Sequence, residues 1–161
     1  MLRAILCTSL PTWMILFALT LPAVSETREI RSISILAADP SAHSVAAILK
    51  SRITQRSNIP VRIVTEFDTD AEYWIYLGQA GASRNTDRIC TGHALTLPGK
   101  SRPAPEGFAV KSVRFHNGPG LLAVGVDQRG VLYATGEILR RFSYAAGHLA
   151  VDQREQQVAG R

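Results

Sequence analysis

Gly120-Leu121-Leu122-Ala123-Val124-Gly125-Val126-Asp127-Gln128-Arg129-Gly130-Val131-Leu132-Tyr133 is the stretch on which the fold turns. Leu121 to Val124 and Val126 are apolar almost without interruption, the pattern of a strand covered on both faces or lying centrally in a sheet. Asp127 to Gly130 then supplies a helix-capping carboxylate, two solvated residues and a permissive glycine. Val131, Leu132, Thr135, Ile138, Leu139 and Phe142 follow on one broad helical face. Glu137 and Arg141 are spaced for an i,i+4 pair, and Arg140 and Arg141 suit the helix's C-terminal dipole. An aspartate at an N-cap satisfies orphan backbone N–H groups without any ligand, so the Asp127 turn reads as a cap and a tight strand-to-helix join before it reads as a ligand site. Arg129 is expected to brace the turn or a neighbouring loop.

Upstream, Glu106 to Phe115 alternates as a strand, with Phe108, Val110 and Val113 as burial candidates. Asn117-Gly118 between it and Leu121 signals a hairpin, so these two strands pair antiparallel. Tyr73-Trp74-Ile75-Tyr76-Leu77, closed by Gly78, is the clearest strand of the first half. Before it, Ile30 to Leu36 reads as a half-buried strand, Asp39-Pro40-Ser41 as a helix start, and Ala42, Val45, Ala46, Leu49 and Ile53 as that helix's apolar face, with Ser57-Asn58 as its exit. Val61 to Val64 is a short strand. Between Gln79 and Pro105 the signal is poor, with a short helix expected somewhere in Thr86 to Leu97. After Phe142, Ala146-Gly147 turns the chain into a final strand, His148 to Val151.

The first 25 residues stand apart. Met1-Leu2-Arg3 is a short positive region, Ile5 to Leu21 an apolar run, and Ala23-Val24-Ser25 a small-x-small cleavage site, so residues 1–25 read as a secretory signal peptide, with a retained anchor as the rival reading. Residues 26–161 then form one domain, secreted or periplasmic, with no membrane contact once the signal is removed. Of the 18 basic residues, 15 are Arg, but the excess is mild (formal net charge +5) and forms no stripe with interleaved aromatics, which argues against nucleic acid. Cys90 is the only cysteine beyond the signal, so the fold has to hold without an internal disulfide.

Candidate chemistry is sparse. Cys90 and His93 cannot by themselves assemble a metal site or an activated thiol, and a buried structural cysteine is expected. Asp68, Asp70 and Glu72 superficially resemble a calcium loop, but the turning glycine and the distal glutamate of that loop are missing, which leaves a solvated loop. His116 at the hairpin tip reads as surface. Trp74, with Tyr73 and Tyr76, is a candidate glycan contact set against the commoner role of such a run as sheet core. No catalytic residue, metal or cofactor is assigned.

Gly125-Val126-Asp127-Gln128-Arg129-Gly130-Val131-Leu132-Tyr133 resembles the Gly-x-Asp-x-Arg-Gly-x-Leu-Tyr-Gly signature of a non-catalytic domain. That domain precedes the catalytic barrel in β-N-acetylhexosaminidases of family 20, α-glucuronidases of family 67 and related glycoside hydrolases. The order of elements from Ile30 onward is similar too. Asp127, Arg129, Gly130 and Tyr133 are the positions that match; Ala134 replaces the usual glycine. The resemblance implies an α+β fold, a mostly antiparallel sheet with helices packed on one face. It also implies an accessory role in carbohydrate metabolism with a catalytic barrel or a glycan as partner, in a truncated or stand-alone form. The hydrolytic acids of that family lie on the barrel, so none is carried over. The alternatives are a secreted glycan-binding or protein-docking module and, less favoured, a small hydrolase using Asp68, Asp70 or Asp127.

Overall fold

The computed structural model describes residues 28–67, 71–97, 105–151 and 156–158; of the last three the backbone alone is considered. The signal-peptide reading and the acids Asp68 and Asp70 lie outside the described residues. The elements are β1 (Glu29–Ile30), β2 (Ile33–Ala37), α1 (Pro40–Ser57), β3 (Val61–Val64), β4 (Tyr73–Gln79), α2 (Arg84–Gly92), β5 (Phe108–Phe115), β6 (Gly118–Gly125), α3 (Gln128–Arg141), β7 (Phe142–Ala145), β8 (His148–Val151) and β9 (Gln156–Val158).

The main sheet has the order β3-β2-β4-β6-β5-β9, and the successive strands β3, β2, β4 and β6 all run parallel. Only the β5–β6 hairpin and the β5–β9 pair are antiparallel. This corrects the expectation of a mostly antiparallel sheet: the fold is α/β, with a mixed, mostly parallel sheet and a small antiparallel one, β1-β8-β7. The reason is visible in the central strands. Ile75 and Leu77 are buried on one face of β4, Trp74 and Tyr76 on the other, and Leu121 to Val124 are all fully enclosed. Double-sided burial of this kind belongs to parallel strands with both faces covered.

Helices accordingly lie on both faces, a second departure from the expected one-sided arrangement. Helices α1 and α3, together with the small sheet, cover the face that carries Ile33, Ile35, Ile75, Leu77, Val110 and Leu121. Helix α2 lies on the other face, where Cys90 joins Leu36, Trp74, Tyr76, Leu122 and Val124. Its N-cap, Ser83, accepts from the Thr86 N–H, and Thr86 Oγ1 meets the Tyr76 hydroxyl at 3.1 Å. Gly78 permits this approach, because a Cβ there would stand 2.9 Å from Thr86 Oγ1.

The hairpin forms as expected, but its two-residue loop is His116-Asn117, since Phe115 pairs with Gly118. Gly118 takes φ +144°, outside the range comfortable for other residues, so the glycine serves the first position of the returning strand. Helix α1 starts at the expected aspartate: Asp39 Oδ1 accepts from the Ala42 N–H at 2.9 Å, and Ser41 Oγ also donates to it. The helix ends at Asn58, whose left-handed φ of 56° closes it.

Candidate functional site

The join between β6 and α3 is built from backbone outward. Gly125 ends β6 so close to the helix start that an added Cβ would lie 2.1 Å from the Val131 nitrogen. Asp127 is the N-cap, with Oδ1 accepting from the Gly130 N–H at 2.7 Å. Its second oxygen, Oδ2, accepts from the Glu106 N–H at 3.0 Å, on the turn that enters β5. Arg129 reaches the same turn: its Nη1 lies 2.9 Å from Glu106 Oε1. Gly130 passes so near this turn that its Cβ would stand 2.4 Å from the Gly107 carbonyl oxygen. The Val126 N–H donates to that same carbonyl at 2.8 Å. Three of the four signature positions therefore meet at one joint tying β5, β6 and α3 together. Tyr133, the fourth, is 46% exposed, one turn further along α3.

The electrostatics follow from these bonds. The Gly130 N–H first, then the Glu106 N–H, hold the Asp127 carboxyl below the usual aspartate range. A lowered folded-state pKa stabilises the fold fully above the unfolded pKa, and this contribution is lost as pH falls through the folded value. Asp39 repeats the device: one oxygen caps α1, and Oδ2 accepts from the Gln79 N–H at 2.8 Å at the end of β4. Both carboxylates sit at the C-terminal edge of the parallel strands, where open α/β sheets place their ligands. Here both are engaged by backbone N–H groups.

The other candidates are dispersed. Trp74 is wholly enclosed, with Phe67 lying over it at 5.0 Å between ring centroids. Trp74, the candidate glycan contact, therefore has no exposed ring surface in this arrangement. Tyr73 and Tyr76 are likewise buried, and their phenols are raised by burial. Cys90 is buried, while His93 stands edge-on to Phe115 at 5.5 Å. Glu72 accepts from the Arg31 N–H at 2.9 Å. Among the described residues no group of three or more His, Cys, Asp or Glu is placed to hold a metal, and no helix is long and apolar enough to cross a membrane.

Two features escaped the sequence reading. Glu106 adopts φ +67° and is the acceptor for Arg129, a pairing across 23 residues that local pattern does not reveal. The second is a cleft of about 420 Å³ beside the C-terminal ends of β2 and β3. Its floor is Leu36, Ala38 and Tyr76, one wall is the segment after β3 with Glu66 and Phe67, and the other is α2 with Asn85, Arg88 and Ile89. The partial signal for it was Phe67, an aromatic in a stretch read only for its acids.

No protein-family model matches the chain, and no curated protein matches it in sequence. Among solved structures it is similar to CpGH84D, with TM-score 0.52 and 12% identity over 78% of this chain and 21% of that one. It is also similar to a GH138 enzyme targeting pectin rhamnogalacturonan II, with TM-score 0.43 and 12% identity over 68% of this chain and 13% of that one. The likeness to CpGH84D is one of fold: an α/β arrangement that occurs as a small portion of a glycoside hydrolase chain. The present chain spans about a fifth of the length of CpGH84D and about an eighth of that of the GH138 enzyme.

Proposed function

We propose that this chain is a secreted or periplasmic accessory domain of the glycoside-hydrolase type, without hydrolytic chemistry of its own, working beside a catalytic barrel or on a glycan. The observation that carries the reading is the engagement of Asp127, the only acid of the signature. Its two oxygens accept from the Gly130 and Glu106 N–H groups, and these bonds lower its pKa. A general acid for glycoside cleavage needs the opposite, a carboxyl that keeps its proton near neutral pH through a raised pKa. It also needs a second carboxyl about 5–10 Å away across a sugar cleft. Asp127 instead spends its lone pairs on holding a turn. The fold shared with part of CpGH84D supports a glycoside-hydrolase setting, and the sequence resemblance supports the finer assignment to the domain that precedes a barrel in families 20 and 67.

The test is turnover. Purified protein incubated with aryl N-acetylglucosaminides, aryl glucuronides and xylan fragments is expected to release no product above buffer. Release that disappears in Asp127→Ala while the fold persists would overturn the non-catalytic reading.

The second reading, a glycan-binding module, is favoured by one specific feature, the cleft between Phe67 and α2.

A further inference from the structure

We propose that the cleft between the segment after β3 and helix α2 binds a neutral mono- or disaccharide, a role that rests on the glycan side of the function proposed above. At about 420 Å³ it lies at the small end of the roughly 300–1,000 Å³ typical of small-molecule sites. Its position follows a general rule of parallel sheets. The chain leaves β2 for β3 on one side, while β4 pairs with β2 on the other, so the strand order switches beside β2. Ligand crevices open outside the carboxyl ends of strands at such a switch.

The chemistry of the lining selects the ligand. Phe67 is 38% exposed, and its ring is backed by Trp74 at 5.0 Å and Phe115 at 5.3 Å, which makes it a supported aromatic wall. The Tyr76 hydroxyl on the floor is already engaged by Thr86, so the floor offers an apolar ring with its polar atom satisfied. Around this apolar base stand Glu66, which only accepts hydrogen bonds, Arg88, which only donates, and Asn85, which does both. The opposite charges of Glu66 and Arg88 offset each other, so the site favours neither a phosphate nor an ammonium ligand. A sugar ring matches it: C–H groups against the aromatic wall, and neighbouring hydroxyls that each donate and accept at the rim.

Titration of the full chain with N-acetylglucosamine and with xylobiose, followed by amide chemical shifts, tests this assignment. Shifts are expected at Phe67, Asn85 and Arg88 and at the Trp74 indole behind the wall. Phe67→Ala and Arg88→Ala should each weaken binding about tenfold or more, the scale of one lost ring contact or charged hydrogen bond. Asn85→Ala, on the exposed side of α2, gives a variant whose folding is not at issue and should weaken binding several-fold. Shifts that map elsewhere, or three variants that bind like the parent, overturn the site. Glucuronate or glucosamine binding about tenfold tighter than the neutral sugars overturns the ligand class, and no shift with any saccharide overturns both. These outcomes are separate from the turnover assay: hydrolysis of aryl glycosides would defeat the non-catalytic reading while leaving the titration of the cleft interpretable.

Discussion

Alanine at Gly125 should destabilise the protein by about 3 kcal/mol or more, at or beyond the upper end of ordinary overpacking. The added methyl would lie 2.1 Å from the Val131 nitrogen, 2.4 Å from the Gly130 carbonyl carbon and 2.8 Å from the Asp127 oxygen. All three are backbone atoms of the turn and the first helical residues, so no side chain can rotate away to make room. Relief requires α3 to shift off β6, which also pulls Asp127 from the Glu106 N–H. The same substitution at Gly136 is the control. That residue lies inside α3, where a Cβ meets nothing closer than Arg140 Nη1 at 3.8 Å, and alanine there should stabilise by up to about 1 kcal/mol through helix propensity. Urea unfolding of the two variants should move in opposite directions. Equal small effects would mean that the join is looser than described.

Glu137→Ala is expected to cost about 3–5 kcal/mol, the scale for removing one partner of a buried, hydrogen-bonded ion pair. Arg141 Nε lies 3.2 Å from Glu137 Oε1, and the side chains are only 4% and 8% exposed. The guanidinium also donates from Nη2 to the Val110 carbonyl at 3.2 Å, so the pair ties α3 to β5 beneath the core. Arg140 Nη2 adds an outer contact at 2.9 Å to Glu137 Oε2. Replacing both partners, Glu137→Leu with Arg141→Met, should cost far less than Glu137→Ala alone, because no desolvated charge is left behind. Denaturant midpoints for the single and double variants check this. A loss under about 1 kcal/mol for Glu137→Ala would mark the pair as an ordinary surface bridge.

The contrast between those two sites explains what could be read from the sequence. Asp127, Gly130 and the helical face of α3 are local features, separated by one to four residues, and local spacing predicts them. Glu137 and Arg141 were legible as an i,i+4 pair, but their burial was not, since it depends on β5 lying beneath them. Strand direction was lost for the same reason. Tyr73 to Leu77 and Leu121 to Val124 announce enclosed strands, yet their parallel pairing, Ile75 against Leu121, is a contact across more than forty residues. The family resemblance supplied the wrong direction, and the double-sided apolar runs already pointed the other way. Helix α2 was faint because Ile89 and Cys90 are its main apolar residues and its N-cap, Ser83, lies in the stretch from Gln79 to Pro105 where the pattern is poor. Beyond the lone aromatic Phe67, the cleft left no signal in the sequence, because Phe67 and Arg88 converge only through the β3-β2-β4 strand order.

We propose that the Asp127 joint holds the fold together and takes no part in catalysis. Thermal unfolding of Asp127→Ala beside the parent protein, at neutral pH and again near pH 2, tests this most directly. A loss of about 0.5–2 kcal/mol is expected at neutral pH, as for other lost N-caps. The gap should narrow in acid, where the parent carboxyl takes up its proton and weakens the bonds to Gly130 and Glu106. A melting temperature unchanged by the substitution at neutral pH would contradict the structural role and return Asp127 to the candidate reacting groups.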